Sequence, residues 1–115
     1  MLPIVELTVC DTEYRVKPGF RVIEAWEERV GIHEVARGIM GGNPRYKDMA
    51  WVVYAAVRYG DEDGKKAPAY YDVGDWVMSN FEDAVRACND LIGVALNAGS
   101  EETRPKKPQP KPEKS

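Results

Sequence analysis

The side chains able to do chemistry are few, and their spacing does not converge. His33 is the single histidine. A nucleophilic pair would need a serine or cysteine brought against it. No cysteine is near it in sequence, and the serines stand at Ser79, Ser100 and Ser115. His33 therefore reads as a surface histidine or one at a helix start. Cys10 falls in an alternating apolar run and Cys88 on an apolar helical stripe, so both read as small buried hydrophobes. Two distant cysteines and one histidine do not make a zinc set or a disulfide framework. Glu24, Glu27 and Glu28 share one segment, at a spacing that suits a solvated helix face. Asp61-Glu62-Asp63-Gly64 lacks the alternating oxygen ligands and closing glutamate of a calcium loop, and reads as a solvated turn. Gly41-Gly42-Asn43-Pro44 is not followed by the Gly-Lys of a phosphate loop and reads as a joint between helices. No catalytic, cofactor-binding or metal-ligating residue is expected, and the pattern points away from an enzyme.

The elements that would position these residues belong to one small domain. The chain has 115 residues, 43% hydrophobic and 30% charged, a composition of globular proteins. No apolar run approaches the ~20 residues of a membrane span, and no apolar N-terminal stretch reads as a signal peptide. The net charge of −3 divides unevenly. Residues 104–115 hold five Lys/Arg against one Glu, a balance of +4, and residues 1–103 hold 11 against 18, a balance of −7. The expected organisation is a domain over residues 1–100 and a disordered Pro/Lys-rich tail over 101–115.

Residues 4–10 alternate, with Val5, Leu7 and Val9 on one face; Tyr14 and Val16 resume the alternation after a polar break at 11–13. This predicts an N-terminal hairpin ended by Pro18-Gly19. A lone hairpin is marginal in water and must pack on the rest of the chain, which is helical in pattern. Val22, Ile23, Trp26 and Val30 predict a helix over 20–30, stopped by Gly31. Ile32, Val35, Ala36, Ile39 and Met40 predict another over 32–40, and Asn43-Pro44 a new cap and start. A short helix is read within Tyr70–Met78. Ser79 and Glu82 suggest a capping box opening a last helix, whose stripe is Phe81, Ala84, Val85, Cys88, Ile92, Ala95 and Leu96 and whose stop is Gly99. The fold class expected is α+β, mainly α: a hairpin packed on a bundle of four to five helices.

The helix predicted over Arg45–Tyr59 is the most telling segment. Met49, Val52, Val53, Ala56 and Val57 form one stripe, Trp51, Tyr54 and Ala55 lie off it, and Met49–Val57 carries no charge. A helix apolar nearly all round is either the centre of a bundle or shared with another chain. In a small domain this suggests a partner surface, with Met49, Trp51, Val52, Tyr54, Ala55, Tyr59 and Trp76 as its candidate contacts. The basic tail alone gives only weak, salt-sensitive contact with nucleic acid. No segment has the composition of a recognition helix, so nucleic acid is not an expected partner.

The order IVELTVCDTEYRVKP, VIEAWEERVGI, VARGIMGGNPRYKD and MAWVVYAAVRYG, closed by an amphipathic helix, resembles the tail assembly chaperones of long-tailed bacteriophages and their relatives in gene-transfer-agent clusters. The resemblance covers about residues 4–98 and rests mostly on the Glu-Glu-Arg-x-Gly helix and the central helix. It implies a non-enzymatic protein of the host bacterial cytoplasm, absent from the mature virion. Such a protein would shield the tape measure protein, recruit tail tube subunits and self-associate into a homo-oligomer. The family commonly has a longer frameshifted form, for which Lys106-Lys107 would suit a slippery codon run. The competing readings are a structural tail or head-completion protein of the virion and a small regulatory DNA-binding or antitoxin-like module.

Overall fold

Alternation of apolar and polar residues builds the first two strands, β1 (Val5–Val9) and β2 (Thr12–Val16). They pair antiparallel, Val9 opposite Thr12 and Val5 opposite Val16. Val5, Leu7, Val9, Tyr14 and Val16 are buried as the alternation requires, while Glu6, Thr8, Glu13 and Arg15 face outward. The computed structural model describes residues 3–103, with side-chain burial to residue 96. The tail from residue 104 lies outside the described residues.

The hairpin turn is tighter than its sequence suggests. Cys10 and Asp11 both have positive φ, 51° and 67°, and form a two-residue turn whose twist matches that of the strands. Cys10 is thus a half-buried turn residue, not a buried strand residue, and Thr12 and Glu13 belong to β2. Cys88 is buried as expected.

Five helices follow among the described residues: α1 (Phe20–Glu27), α2 (Ile32–Met40), α3 (Tyr46–Gly60), α4 (Tyr70–Ser79) and α5 (Phe81–Thr103). The architecture is the expected hairpin on a helical bundle. Helix α1 buries Val22, Ala25 and Trp26 and ends at Glu27, so Val30 lies beyond it. Helix α2 matches the predicted span but fully buries only Val35, and Met40 is 85% exposed. Gly42 takes φ +78°. The amides of Gly42 and Asn43 donate back to the carbonyls of Ile39 and Gly38 at 3.1 and 2.8 Å. This left-handed stop satisfies carbonyls that the helix end would orphan, and it uses Asn43 as terminator rather than cap. Helix α3 accordingly starts two residues beyond Pro44, after Arg45.

The capping box at Ser79 does not form, because Ser79 is the last residue of α4. Asn80 sits between α4 and α5, its side-chain amide donating to the Trp76 carbonyl at 3.1 Å and its own carbonyl accepting from Ala84 at 2.9 Å. Gly99 does not stop α5, which continues to Thr103. Its buried stripe is Ala84, Ala87, Cys88, Leu91, Ile92 and Ala95, with Phe81 and Leu96 at 37% and 40% exposure.

Helix α3 is the centre of the bundle. It packs against α1, α4, α5 and β2, and Met49 to Val57 are buried except Tyr54. Its alanines let neighbours approach closely, so short elements close over most of it and leave the side of Tyr54, Arg58 and Tyr59 at the surface. Gly60, the last residue of α3, allows the tightest approach. A Cβ there would lie 2.8 Å from the Lys17 carbonyl oxygen and 2.9 Å from a Val22 methyl.

Candidate protein-interaction surface

Of the seven contacts suggested by sequence, four cannot reach a partner. Met49, Val52 and Ala55 are wholly enclosed and Trp51 is 8% exposed, all against their own chain. The hydrophobic drive that could have recruited a partner is satisfied internally. Tyr54, Tyr59 and Trp76 are half-buried and reach the surface. Tyr54 and Tyr59 share one face, whereas Trp76 lines a cleft beside β1 with Leu7 and Ala87.

The face holding Tyr54 and Tyr59 is a connected series of arginines and aromatic rings. The Arg29 guanidinium lies 4.3 Å above the Trp51 ring and 5.8 Å from Tyr70. Tyr70 stands edge-on to Trp51 at 5.9 Å and to Tyr54 at 5.7 Å, and Tyr71 extends the series at 5.4 Å. Arg58 donates to the Tyr54 hydroxyl at 3.1 Å and lies 5.4 Å over the Tyr59 ring, which Arg21 flanks at 5.5 Å. Hydrogen bonding to Tyr59 and then Tyr54 pushes the Arg58 pKa above its ordinary value. Among the described residues none of the three arginines forms an ion pair; the salt bridges join Arg15 to Asp63, Lys17 to Glu62 and Arg86 to Asp83.

Three elements build this face. Helix α3 supplies Trp51, Tyr54, Arg58 and Tyr59, with Tyr54 and Arg58 one turn apart. The start of α4 brings Tyr70 and Tyr71, and α1 with the turn after it brings Arg21 and Arg29. Sequence reasoning missed the arginines. The detectable signal was the i, i+4 pair Tyr54 and Arg58; Arg29 had none, because its partner lies in another helix.

The remaining chemistry is sparse. His33 is exposed. Cys10 bonds weakly to the Asp72 carbonyl at 3.6 Å, and its pKa is raised by burial and then by the carboxylates of Asp72, Asp11 and Asp75. Burial pushes the Cys88 thiol to about 12, which leaves it unreactive. No group of acids, histidines and cysteines able to hold a metal ion occurs among the described residues, nor any helix long and apolar enough to cross a membrane. The acidic run 61–63 is not a merely solvated turn. Asp61 accepts from the backbone amides of Arg15 at 3.1 Å and Lys65 at 2.8 Å, and so ties the loop to β2.

Compared with protein-family models, with curated proteins and with solved structures, the chain matches none.

Proposed function

We propose that this chain is a non-enzymatic protein-binding module, and specifically a tail assembly chaperone of a long-tailed phage. It would hold the tape measure protein and recruit tail tube subunits in the host bacterial cytoplasm. The observation that carries the binding role is the arginine–aromatic face running from Arg29 through Trp51, Tyr70 and Tyr54 to Arg58 and Tyr59. Tyrosine, tryptophan and arginine carry most of the binding energy at protein interfaces. The rings are already packed edge-on and tilted against one another, so little side-chain freedom is lost on contact. The assignment to tail assembly rests on the resemblance of the segment order. The mechanism differs from shielding by the central helix. The partner would lie across exposed Tyr71 and the half-buried tyrosines, its carboxylates meeting three arginines that lack ion-pair partners among the described residues. The acidic remainder would keep the complex soluble.

The test is co-expression with a tape measure protein of a long-tailed phage, scoring how much of that protein stays soluble. Arg29→Glu combined with Arg58→Glu should lose the effect while circular dichroism shows an intact fold. A double variant that protects as well as the parent would overturn this site. Tape measure protein equally soluble without the chain would overturn the function.

A further inference from the structure

The hairpin has one covered edge and one open edge. In a hairpin closed by a two-residue turn, Val9–Thr12, Leu7–Tyr14 and Val5–Val16 are the hydrogen-bonded pairs. The residues between them turn their backbone groups outward. On β2 those groups are occupied: the Arg15 amide donates to Asp61, the Arg15 carbonyl accepts from Glu62 at 2.7 Å, and the Glu13 carbonyl accepts from Lys65. On β1 the equivalent groups belong to Glu6 and Thr8, and they have no partner among the described residues. Beside them runs a cleft of about 300 Å³, lined by Leu7, Trp76 and Ala87 together with Asp83, Arg86 and Asp90. An unpaired strand edge beside an open cleft is a template for strand addition.

The sequence contains a segment suited to that edge. Residues 107–113 read Lys-Pro-Gln-Pro-Lys-Pro-Glu, with proline at every second position. A residue before proline is held extended, so alternate prolines favour a strand. Such a strand keeps amides on one edge only, that of Lys107, Gln109 and Lys111, because the proline edge has none. It can add to a sheet once and then ends it. We propose that residues 107–113 of one copy add as a third, antiparallel strand to β1 of a second copy, with Lys111 opposite Glu6 and Gln109 opposite Thr8. In this register Lys111 meets an opposite charge on the solvent face. Pro110 falls opposite Leu7, toward Trp76 and Ala87 in the cleft.

Reach assigns the strand to a second copy rather than to its own chain. From Asp90, the last cleft residue on α5, the helix runs away to Thr103, about 20 Å at ~1.5 Å per residue. The six residues from Thr103 to Gln109 span at most about 21 Å when fully extended. A return of Gln109 to the Thr8 of the same chain would take all six fully extended, with none left to reverse the chain direction. The charges agree with docking between copies, since the tail is at +4 and the preceding residues at −7.

The experiment uses the full chain, sedimentation equilibrium and amide hydrogen exchange. The parent should self-associate and show slow exchange at the Glu6 and Thr8 amides. Gln109→Pro removes the central tail donor without touching the folded domain; it should weaken association at least tenfold and release both amides. Glu6→Lys and Lys111→Glu should each weaken association, and together restore it. A monomeric parent whose Glu6 and Thr8 amides exchange as fast as in Gln109→Pro overturns the proposal. So does association indifferent to Gln109→Pro, or a monomer with protected amides, which would place the strand in its own chain.

Discussion

Trp26 and Trp51 clasp each other's helices. The Trp26 indole donates to the Val52 carbonyl at 3.0 Å, and the Trp51 indole donates to the Ala25 carbonyl at 2.8 Å. Each ring thus bonds to the backbone beside the other ring, and both bonds are buried. The pair fixes α1 against α3 in both rotation and height, and this holds Arg29 over Trp51.

Replacing either indole should loosen that clasp. Trp26→Phe should destabilise the domain by about 2–3 kcal/mol, from one lost buried hydrogen bond and a partly unfilled core site. Trp51→Phe should cost about 1–2 kcal/mol, because Trp51 lies nearer the surface. Urea denaturation followed by far-UV circular dichroism measures both. Equal values near zero would mean the indole bonds are dispensable.

Gly60→Ala reverses the usual helix preference. Alanine is favoured over glycine within a helix by up to ~1 kcal/mol. Here its methyl would meet the Lys17 carbonyl and Val22 at 2.8 and 2.9 Å. Overpacking of this kind costs roughly 1–3 kcal/mol. The net expectation is a lower melting temperature, read by thermal unfolding.

The two thiols should separate cleanly by reactivity. Cys10 is half-buried and Cys88 buried, so a chromogenic disulfide reagent should label one thiol per native chain and two in denaturant. The Cys10 rate should reach its half-maximum at a higher pH than a free cysteine, since its pKa is raised.

Cys88 also imposes a pH dependence. Its pKa rises from the 9.0 of a solvated thiol to about 12 in the fold. Between those values the unfolded chain has lost the proton and the folded chain keeps it. Stability from this group is therefore complete below about pH 9 and falls as pH rises, by ~1.4 kcal/mol per unit. Cys88→Ala should show a shallower loss of stability between pH 9 and 10.5 than the parent, measured by urea titration at each pH.

Asp61 should control the hairpin rather than the bundle. Asp61→Ala removes both acceptors that hold the amides of Arg15 and Lys65. Hydrogen exchange at Arg15 should accelerate more than tenfold, while α3 amides change only by the global loss of about 1–2 kcal/mol.

Short-range patterns were legible in the sequence. Strict alternation named the inward residues of both strands, and the 3.6-residue period gave α2 its full span. What failed was reading between elements. The uncharged run Met49–Val57 fits a shared surface or a bundle centre equally well, because periodicity reports apolarity and not what covers it. Ala50, Ala55 and Ala56 decide the matter by letting thin neighbours close over the helix. Cys10-Asp11 escaped notice because it lacks the glycine that usually marks a two-residue turn. Arg29 escaped because a guanidinium on a ring in another helix leaves no mark in local spacing.

The central place of α3 also constrains the order of events on the ribosome. Its neighbours α1 and β2 precede it in the chain, and α4 and α5 follow it. Once residue 60 has left the exit tunnel, the tryptophan clasp can close. The apolar sides of α3 that await α4 and α5 stay uncovered until some thirty further residues emerge, about 2–6 s at ordinary elongation rates. During that interval the nascent chain displays an uncharged run from Met49 to Val57. Its own synthesis is thus the stage at which this protein is most exposed to wrong associations.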